Sequence, residues 1–465
     1  MLAQIFKTYD VRATYPDKIN ETAAWKVGHA SGRFLGSQGE GAGNSTMLVS
    51  RDMRPHSPDL CEALADGIRA SGLNVIDLGM ADTPLNYFAI NHLDAIGGIQ
   101  TTASHNPINY NGFKISGAGA VPIGAQSGLV QIQQIAESLD DAAPKSHPPK
   151  GSYAQKDLWD AYREHVLGFL VPPVRPIKVV VDASNAMAGK MVPTIFDGVA
   201  NLQIIPLNFE ITGSFVHEPN PLVAANMIPT QEAVKAHGAD LGVCFDGDAD
   251  RCMLTDDQGR IIGCDHLTAL LSGYFLAANP GSTIVYDLRS SKVVPQTIQE
   301  LGGRLRRSRV GHVFMKSILR ESGAVFGGEL SGHFYFRDNF CADSGAVAFA
   351  VVISVVGQSE RTVSDLIDPL RKYPQSGEIN FHCDNKEGVI ADLESRYADD
   401  ADIDDLDGVT VDAFDRDSGG WWFNVRPSNT EPLLRLNAEA KDRFRLEQLI
   451  ETLSPLLGER DEGGH

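Results

Sequence analysis

With 465 residues, 43% hydrophobic and 22% charged, the chain has an ordinary globular composition and is too long for one hydrophobic core. At about 150 residues per domain it implies three or four domains. Its formal charge of −20 argues against nucleic acid and anionic membrane as partners, since both need a basic face, and any anionic small ligand needs a locally basic cleft. Six cysteines (Cys61, Cys244, Cys252, Cys264, Cys341, Cys383) form no C-x-x-C pair and read as reduced thiols of a cytoplasmic protein without a zinc site. No secretory signal is visible. The longest apolar run, Ala346 to Val356, is shorter than the ~20 residues of a membrane span and reads as a buried helix.

In chain order, Phe6-Lys7-Thr8-Tyr9-Asp10-Val11-Arg12 reads as an edge strand with snorkelling charges. Met47–Val49 is a strand, and Ser57–Ala70 a helix with Leu60, Leu64 and Ile68 on one face. Val75–Leu78 is a strand, Thr83–Asn91 a helix, and Gly97–Thr102 a third strand. Such alternation implies a mostly parallel sheet, whose ligands bind beyond the carboxyl ends of the strands. Ser104, in T-A-S-H-N-P, lies at such an end, on a loop stopped by Asn106-Pro107. It is either a turn residue or a hydroxyl presented to a ligand. A serine-hydrolase pairing with His105 is disfavoured, because consecutive side chains on extended backbone point apart and the G-x-S-x-G elbow is missing. Asn111-Gly112 suits a hairpin turn returning through Phe113-Lys114-Ile115, which brings Lys114 near Ser104.

Residues 142–151 read as a Pro-rich linker. A second set of strands (Lys178–Asp182, Leu202–Ile205, Leu241–Phe245) and a helix over Thr230–His237 lead into Asp246-Gly247-Asp248-Ala249-Asp250-Arg251. Carboxylates at i, i+2 and i+4 on extended backbone face one side. They suit Mg²⁺, or else form a solvated acidic turn; an EF-hand is unlike this, since its sixth position is glycine and here it is Arg251. A third set follows: Leu267–Ala278 and Val293–Leu301 as helices, Ile284–Tyr286 as a strand, an Arg304–Arg309 strand, Val310-Gly311-His312 opening a helix to Leu319, and Ala324–Phe326 as a strand. That strand runs into G-E-L-S-G-H. By the two-residue period Glu329, Ser331 and His333 share a face, suited to sugar hydroxyls or simply to a satisfied polar loop. From about Tyr373 the pattern turns to antiparallel α+β. There Arg426-Pro427-Ser428-Asn429-Thr430-Glu431-Pro432 is either a phosphate cradle or a plain hairpin loop. The fold class expected is α/β, three similar mixed-sheet domains and a C-terminal antiparallel α+β domain around a central cleft. The boundaries expected are 1–145, 150–255, 256–370 and 371–465.

Taken together and in order, T-A-S-H-N-P, D-G-D-A-D-R, G-E-L-S-G-H and R-P-S-N-T-E-P closely resemble the α-D-phosphohexomutase family over nearly the whole chain. F-K-T-Y-D-V-R and V-G-H look like its pattern too. The resemblance implies a phosphoserine at Ser104 that exchanges its phosphoryl group with hexose 1-phosphate or 6-phosphate through a bound hexose 1,6-bisphosphate. It implies Mg²⁺ on Asp246, Asp248, Asp250 and the phosphoserine oxygen. Arg12 and Lys114 become the acid–base pair, with His312 at the reacting centre. Tyr9, Arg251, Arg289 and Gly311 line the cleft, Glu329, Ser331 and His333 hold the sugar, and Arg426, Ser428, Asn429 and Thr430 hold the other phosphate. Asn429 and G-E-L-S-G-H look like the mannose- and glucose-directed branch, so mannose preference is expected and dual specificity is open. Two departures, at Arg289, near which many relatives place a lysine, and at Ala13, usually glycine, bear on preference and not on the reaction. The expected partner is a small sugar phosphate, and the chain is a monomer or homodimer. Competing readings are a D-x-D phosphatase, which normally has threonine where this chain has Arg251, and a non-catalytic sugar-phosphate sensor.

Overall fold

The parallel sheet expected near the N-terminus forms around Gly97–Thr101, a strand buried at every residue. In the computed structural model, which describes residues 2–38, 45–416, 419–428 and 431–461, it pairs in parallel with Thr46–Arg51. That strand pairs with Asn74–Met80, which pairs with Tyr153–Gln155. On the other side the sheet is antiparallel, through Tyr110–Gly117 to the edge strand Val11–Thr14. Leu60, Leu64 and Ile68 of helix Ser57–Ala70 pack on Met47, Val49 and Ile99, the face their spacing predicts.

Two findings differ from expectation here. Asn111-Gly112 is no turn: Asn111 and Gly112 pair with Ala13 and Arg12 inside the strand. A Cβ on Gly112 would lie 2.1 Å from the Val11 carbonyl oxygen, so the glycine serves close strand approach. The strands are instead joined by the Ser104 loop itself. The second is an 18-residue helix, Glu21–Gln38, in a stretch whose glycines and polar residues show no clear apolar stripe. Its small residues let it cross helix Ser57–Ala70 closely, and a Cβ on Gly28 would lie 2.1 Å from the Leu64 oxygen.

A second mixed sheet has Leu202–Leu207, Ile177–Asp182 and Leu241–Phe245 in parallel, then Cys252–Thr255 and Ile261–Ile262 antiparallel. Helix Ala224–His237 starts a turn and a half before the expected Thr230, running through Pro229 and closing on Gly238 in the left-handed region (φ 55°). The apolar run over 346–356 forms the buried helix Gly345–Gly357, capped by Ser344.

These sheets belong to a unit of Met1–Ile262 with Ser331–Val363; the other unit is Gly263–Leu330 with Ser364–His465. In the latter, Arg304–Ser308, Thr283–Asp287 and Phe326–Gly328 run parallel. A fully antiparallel sheet spans Asp402–Asp404, Val409–Asp412, Trp421–Pro427, Leu433–Ala440, Gln375–His382 and Glu459–Arg460. Helix Arg443–Leu457 closes its core with Leu446, Leu449 and Leu453. Among the described residues the strands make three mixed sheets and one antiparallel sheet, the α/β class expected. All six cysteines are free thiols. Among the described residues no helix is long and apolar enough to cross a membrane.

Candidate active site

Ser104 is 1% exposed, and its backbone is left-handed (φ 50°), an uncommon conformation for a residue with a Cβ. This swings Oγ out of an extended course and against the second sheet's loop, where it donates to Asp246 Oδ2 at 2.8 Å. It also corrects the expectation for His105. The neighbouring side chains do not diverge, and His105 Nδ1 lies 3.2 Å from Ser104 Oγ. Burial first, then Arg251, Arg12 and Lys114, pushes the His105 pKa well below its ordinary value, so the ring is neutral.

The aspartate loop follows the buried strand Leu241–Phe245. Asp246, Asp248 and Asp250 are all buried, with ligand oxygens within 4.8 Å of one another. They converge through a tight turn with Ala249 at φ 57°, not through the extended alternation expected. Gly247 is needed where it stands, for a Cβ there would lie 2.2 Å from the Ser104 carbonyl oxygen. Thr83 Oγ1, at the start of helix Thr83–His92, donates to Asp248 Oδ2 at 2.5 Å. Asp248 Oδ1 is buried with no hydrogen-bond partner among the described residues. Three hard oxygen donors with a bare oxygen among them fit a small divalent cation.

Lys114, expected near Ser104, reaches the aspartate loop, with Nζ 2.6 Å from Asp248 Oδ2 and 2.5 Å from Asp250 Oδ2. Burial opposes its charge, but Asp248, Asp250 and Asp246 outweigh burial and raise its pKa. Asp246 is left as the repelled member: burial, then Asp250 and Asp248, push its carboxyl well above the usual range. Asp250 goes the other way. Burial would raise it, yet Lys114, His333 and Arg251 together hold it well below. Arg12 donates to Asn106 Oδ1 in the serine loop (2.6 Å) and to Asp10 (2.5 Å). Arg251 Nε lies 3.2 Å from His333 Nε2 and 3.7 Å from Asp246 Oδ2, while Ser331 Oγ lies 2.8 Å from His333 Nδ1. Tyr9 is half-buried in the bend before Val11–Thr14.

The shared face expected of Glu329, Ser331 and His333 is not a strand face. A turn with Gly332 at φ 85° intervenes, and Glu329 falls in the second unit while Ser331 and His333 fall in the first.

In the second unit Glu329 Oε1 accepts from the Gly311 N–H at 3.0 Å, just before His312 opens helix His312–Ser322. Arg289 is clasped by Asp287 (Nη2–Oδ2 2.5 Å) and approaches Glu329 (4.0 Å) and Glu378 (3.4 Å). Glu378 also pairs with Arg426 at 2.6 Å and Arg435 at 3.2 Å. Burial would raise the Glu378 carboxyl, but Arg426, Arg289 and Arg435 lower it. Burial and Arg289 in turn lower the Arg426 pKa. Ser428 is buried, its N–H donating to the Leu433 carbonyl at 2.8 Å. Asn429 and Thr430 lie outside the described residues.

Four family models cover the chain in order: phosphoglucomutase/phosphomannomutase alpha/beta/alpha domain I matches residues 3–143, domain II 160–259, domain III 264–373 and the C-terminal domain 378–455. The chain belongs to the phosphoglucomutase/phosphomannomutase family. Phosphohexose mutase activity, an isomerase reaction, comes with that membership. Among its relatives are a phosphomannomutase of Escherichia coli K12, 38% identical across 98% of this chain and 99% of that protein, and a protein named phosphohexose mutases from Xanthomonas campestris pv. campestris B100, 38% identical across 98% and 100%. A phosphoglucomutase/phosphomannomutase family protein of Burkholderia thailandensis superposes with TM-score 0.87 at 31% identity, covering 97% of this chain and 96% of that one. Some residues of this phosphoglucomutase/phosphomannomutase chain that contact these groups carry no role in the motif reading: Thr83 in the first unit, Asp287 and Glu378 in the second. Asp287 ends an apolar strand, a signal that was available; Glu378 lies 89 positions from Arg289, with no local pattern to mark it.

Proposed function

We propose that this chain interconverts hexose 6-phosphate and hexose 1-phosphate, mannose preferred, by carrying a phosphoryl group on Ser104 and passing it through a bound hexose 1,6-bisphosphate. The observation that carries this reading is the placement of Ser104 Oγ 2.8 Å from Asp246, inside a cluster of three buried carboxylates. Asp246, Asp248 and Asp250, with an oxygen of the phosphorylated serine, would hold Mg²⁺, which when bound offsets negative charge on the transferring phosphoryl oxygens.

The chain's own groups do the rest. Lys114, kept charged by its carboxylates, and Arg12, anchored on Asn106, supply positive charge and a proton beside the reacting oxygen. Arg251 and His333 sit side by side on adjacent loops, with Ser331 orienting the imidazole and leaving Nε2 for Arg251. Glu329 accepts sugar hydroxyls, and its bond to the Gly311 N–H aims the carboxylate. Arg289, Arg426 and Ser428, together with Asn429 and Thr430, hold the phosphate that does not transfer, as guanidinium forks do. His312 and Tyr9 complete the sugar's surroundings. Mannose preference rests on Asn429 in R-P-S-N-T-E-P and on relatives named phosphomannomutase at 38% identity. The relative named phosphohexose mutases keeps a second hexose phosphate open, with glucose as the alternative.

The test is steady-state turnover of mannose 1-phosphate and glucose 1-phosphate with a trace of the bisphosphate. Wild type isomerises both, mannose with the higher kcat/KM, and Ser104→Ala loses turnover by about 10⁴-fold or more. Phosphate release without isomerisation, or an active Ser104→Ala, overturns the proposal.

A further inference from the structure

We infer that Arg54, backed by Asp52, is the positioning residue that sets the carrier serine, an inference resting on Ser104 being the phosphoryl carrier. Neither residue touches the reacting atoms, and both are 0% exposed. The guanidinium of Arg54 gathers the backbone of the serine loop. Nη2 donates to the carbonyls of Ser104 (2.9 Å) and Asn106 (2.7 Å), and Nη1 to those of Pro107 (2.6 Å) and Tyr110 (3.1 Å). Its Nε donates to Asp52 Oδ2 at 3.1 Å, and its backbone N–H to Asp52 Oδ1 at 3.0 Å.

Asp52 reaches the other side of the same serine. It accepts from Ser57 Oγ at 2.6 Å and from Thr102 Oγ1 at 2.8 Å, and that threonine oxygen accepts the Ser104 N–H at 2.9 Å. Both the N–H and the C=O of Ser104 are therefore tied to one buried ion pair. The ring of Phe215, 5.5 Å from the guanidinium carbon, covers it.

This arrangement explains the serine's backbone. A left-handed φ on a non-glycine residue persists only where its surroundings over-determine it. Here the Ser104 carbonyl is drawn to Arg54 and lies against Gly247, which has no Cβ to block it. With N–H and C=O so directed, the Cα–Cβ bond points Oγ at Asp246. Only an arginine serves, because a planar fork can meet four carbonyls and a carboxylate at once while a lysine offers three donors at a single point. Without the fork the loop carries buried carbonyls that lack donors, and it relaxes away from this geometry.

The experiment compares Arg54→Lys, Thr102→Val and Thr102→Ser with wild type and Ser104→Ala. It measures kcat and KM for mannose 1-phosphate, phosphoserine occupancy by intact mass, and thermal melting. Thr102→Val removes the bond to the Ser104 N–H with little change of volume, so it decides the matter if Arg54→Lys does not fold. Arg54→Lys should lower kcat about 100-fold, the loss expected from misplacing a reacting group by about 1 Å. Thr102→Val should lower it about 10-fold, with KM held in both and Thr102→Ser restoring wild-type turnover. A purely structural role would lower the melting temperature and leave kcat of the folded protein unmoved. Wild-type kcat in folded Thr102→Val, beside an inactive Ser104→Ala, overturns the positioning role alone. An active Ser104→Ala overturns the carrier reading and this inference with it.

Discussion

Particular buried carboxylates of the two units behave in opposite ways, with Asp250 in the first unit lowered and Glu439 in the second raised as the exceptions. In the unit holding Ser104, burial and mutual repulsion push Asp246 well above the ordinary range, and burial pushes Asp82, capping helix Thr83–His92, to about 8. In the other unit, burial acts in the same direction yet loses at Asp287, Glu378 and Asp265. Arg289 holds Asp287 low, Arg426 with Arg289 and Arg435 holds Glu378 low, and His266 with Gln375 and the Ser291 N–H holds Asp265 at about 2. The difference bears on what each region is proposed to receive. Carboxylates that still repel one another are completed by a cation. The guanidiniums of Arg289 and Arg426, gathered around Glu378, are the ones proposed above to receive an anionic group.

The largest effect should come from the cation side. Asp248→Asn removes a ligand oxygen and is expected to cut turnover about 10³-fold and weaken Mn²⁺ binding, followed by titration calorimetry; unchanged binding would dissolve the contrast. Gly247→Ala forces a Cβ toward the Ser104 carbonyl oxygen, 2.2 Å away as the loops stand, and should lower kcat about 100-fold with little change in KM. On the anion side, Arg426→Ala deletes one charge-assisted partner and should raise KM for the sugar phosphate about 10-fold while kcat stays within a small factor. If kcat falls instead, the second region does more than hold a phosphate.

The smallest effects concern stability and have opposite signs. A carboxyl raised on folding contributes stability below its unfolded pKa and loses it as pH rises. Asp82 should therefore destabilise the cation-free protein progressively between pH 3.8 and about 8, and Asp82→Asn should flatten that slope. Asp265 is depressed, so its contribution, roughly 2 kcal/mol, is present above pH 3.8 and lost as pH falls toward about 2. Thermal melts across pH in chelator, for wild type, Asp82→Asn and Asp265→Asn, read both slopes.

The motif residues were legible because chemistry of this kind needs particular side chains at short spacing. T-A-S-H-N-P and D-G-D-A-D-R announce a presented hydroxyl and a carboxylate cluster whatever backbone delivers them. The backbone itself was misjudged: Ser104 and Ala249 are left-handed, which alternating strand geometry does not foresee. That single error explains why His105 was aimed away from the serine and why the aspartates converge by a turn. Helix Glu21–Gln38 was hidden because its contact face is glycine and alanine, chosen for close approach and not for hydrophobicity. Arg54 stayed silent for another reason, since its partners lie about fifty positions along the chain.

Composition, local spacing and the alternation of strand and helix were enough to establish the layered α/β character, the order of its sheets and the candidate groups for the proposed chemistry, because each depends on neighbours within a few residues. Which carboxylate repels and which is satisfied, and which way the serine hydroxyl faces, came only with folding. Burial and Coulomb energy depend on distance through space, and the chain lays out its charges without regard to that distance.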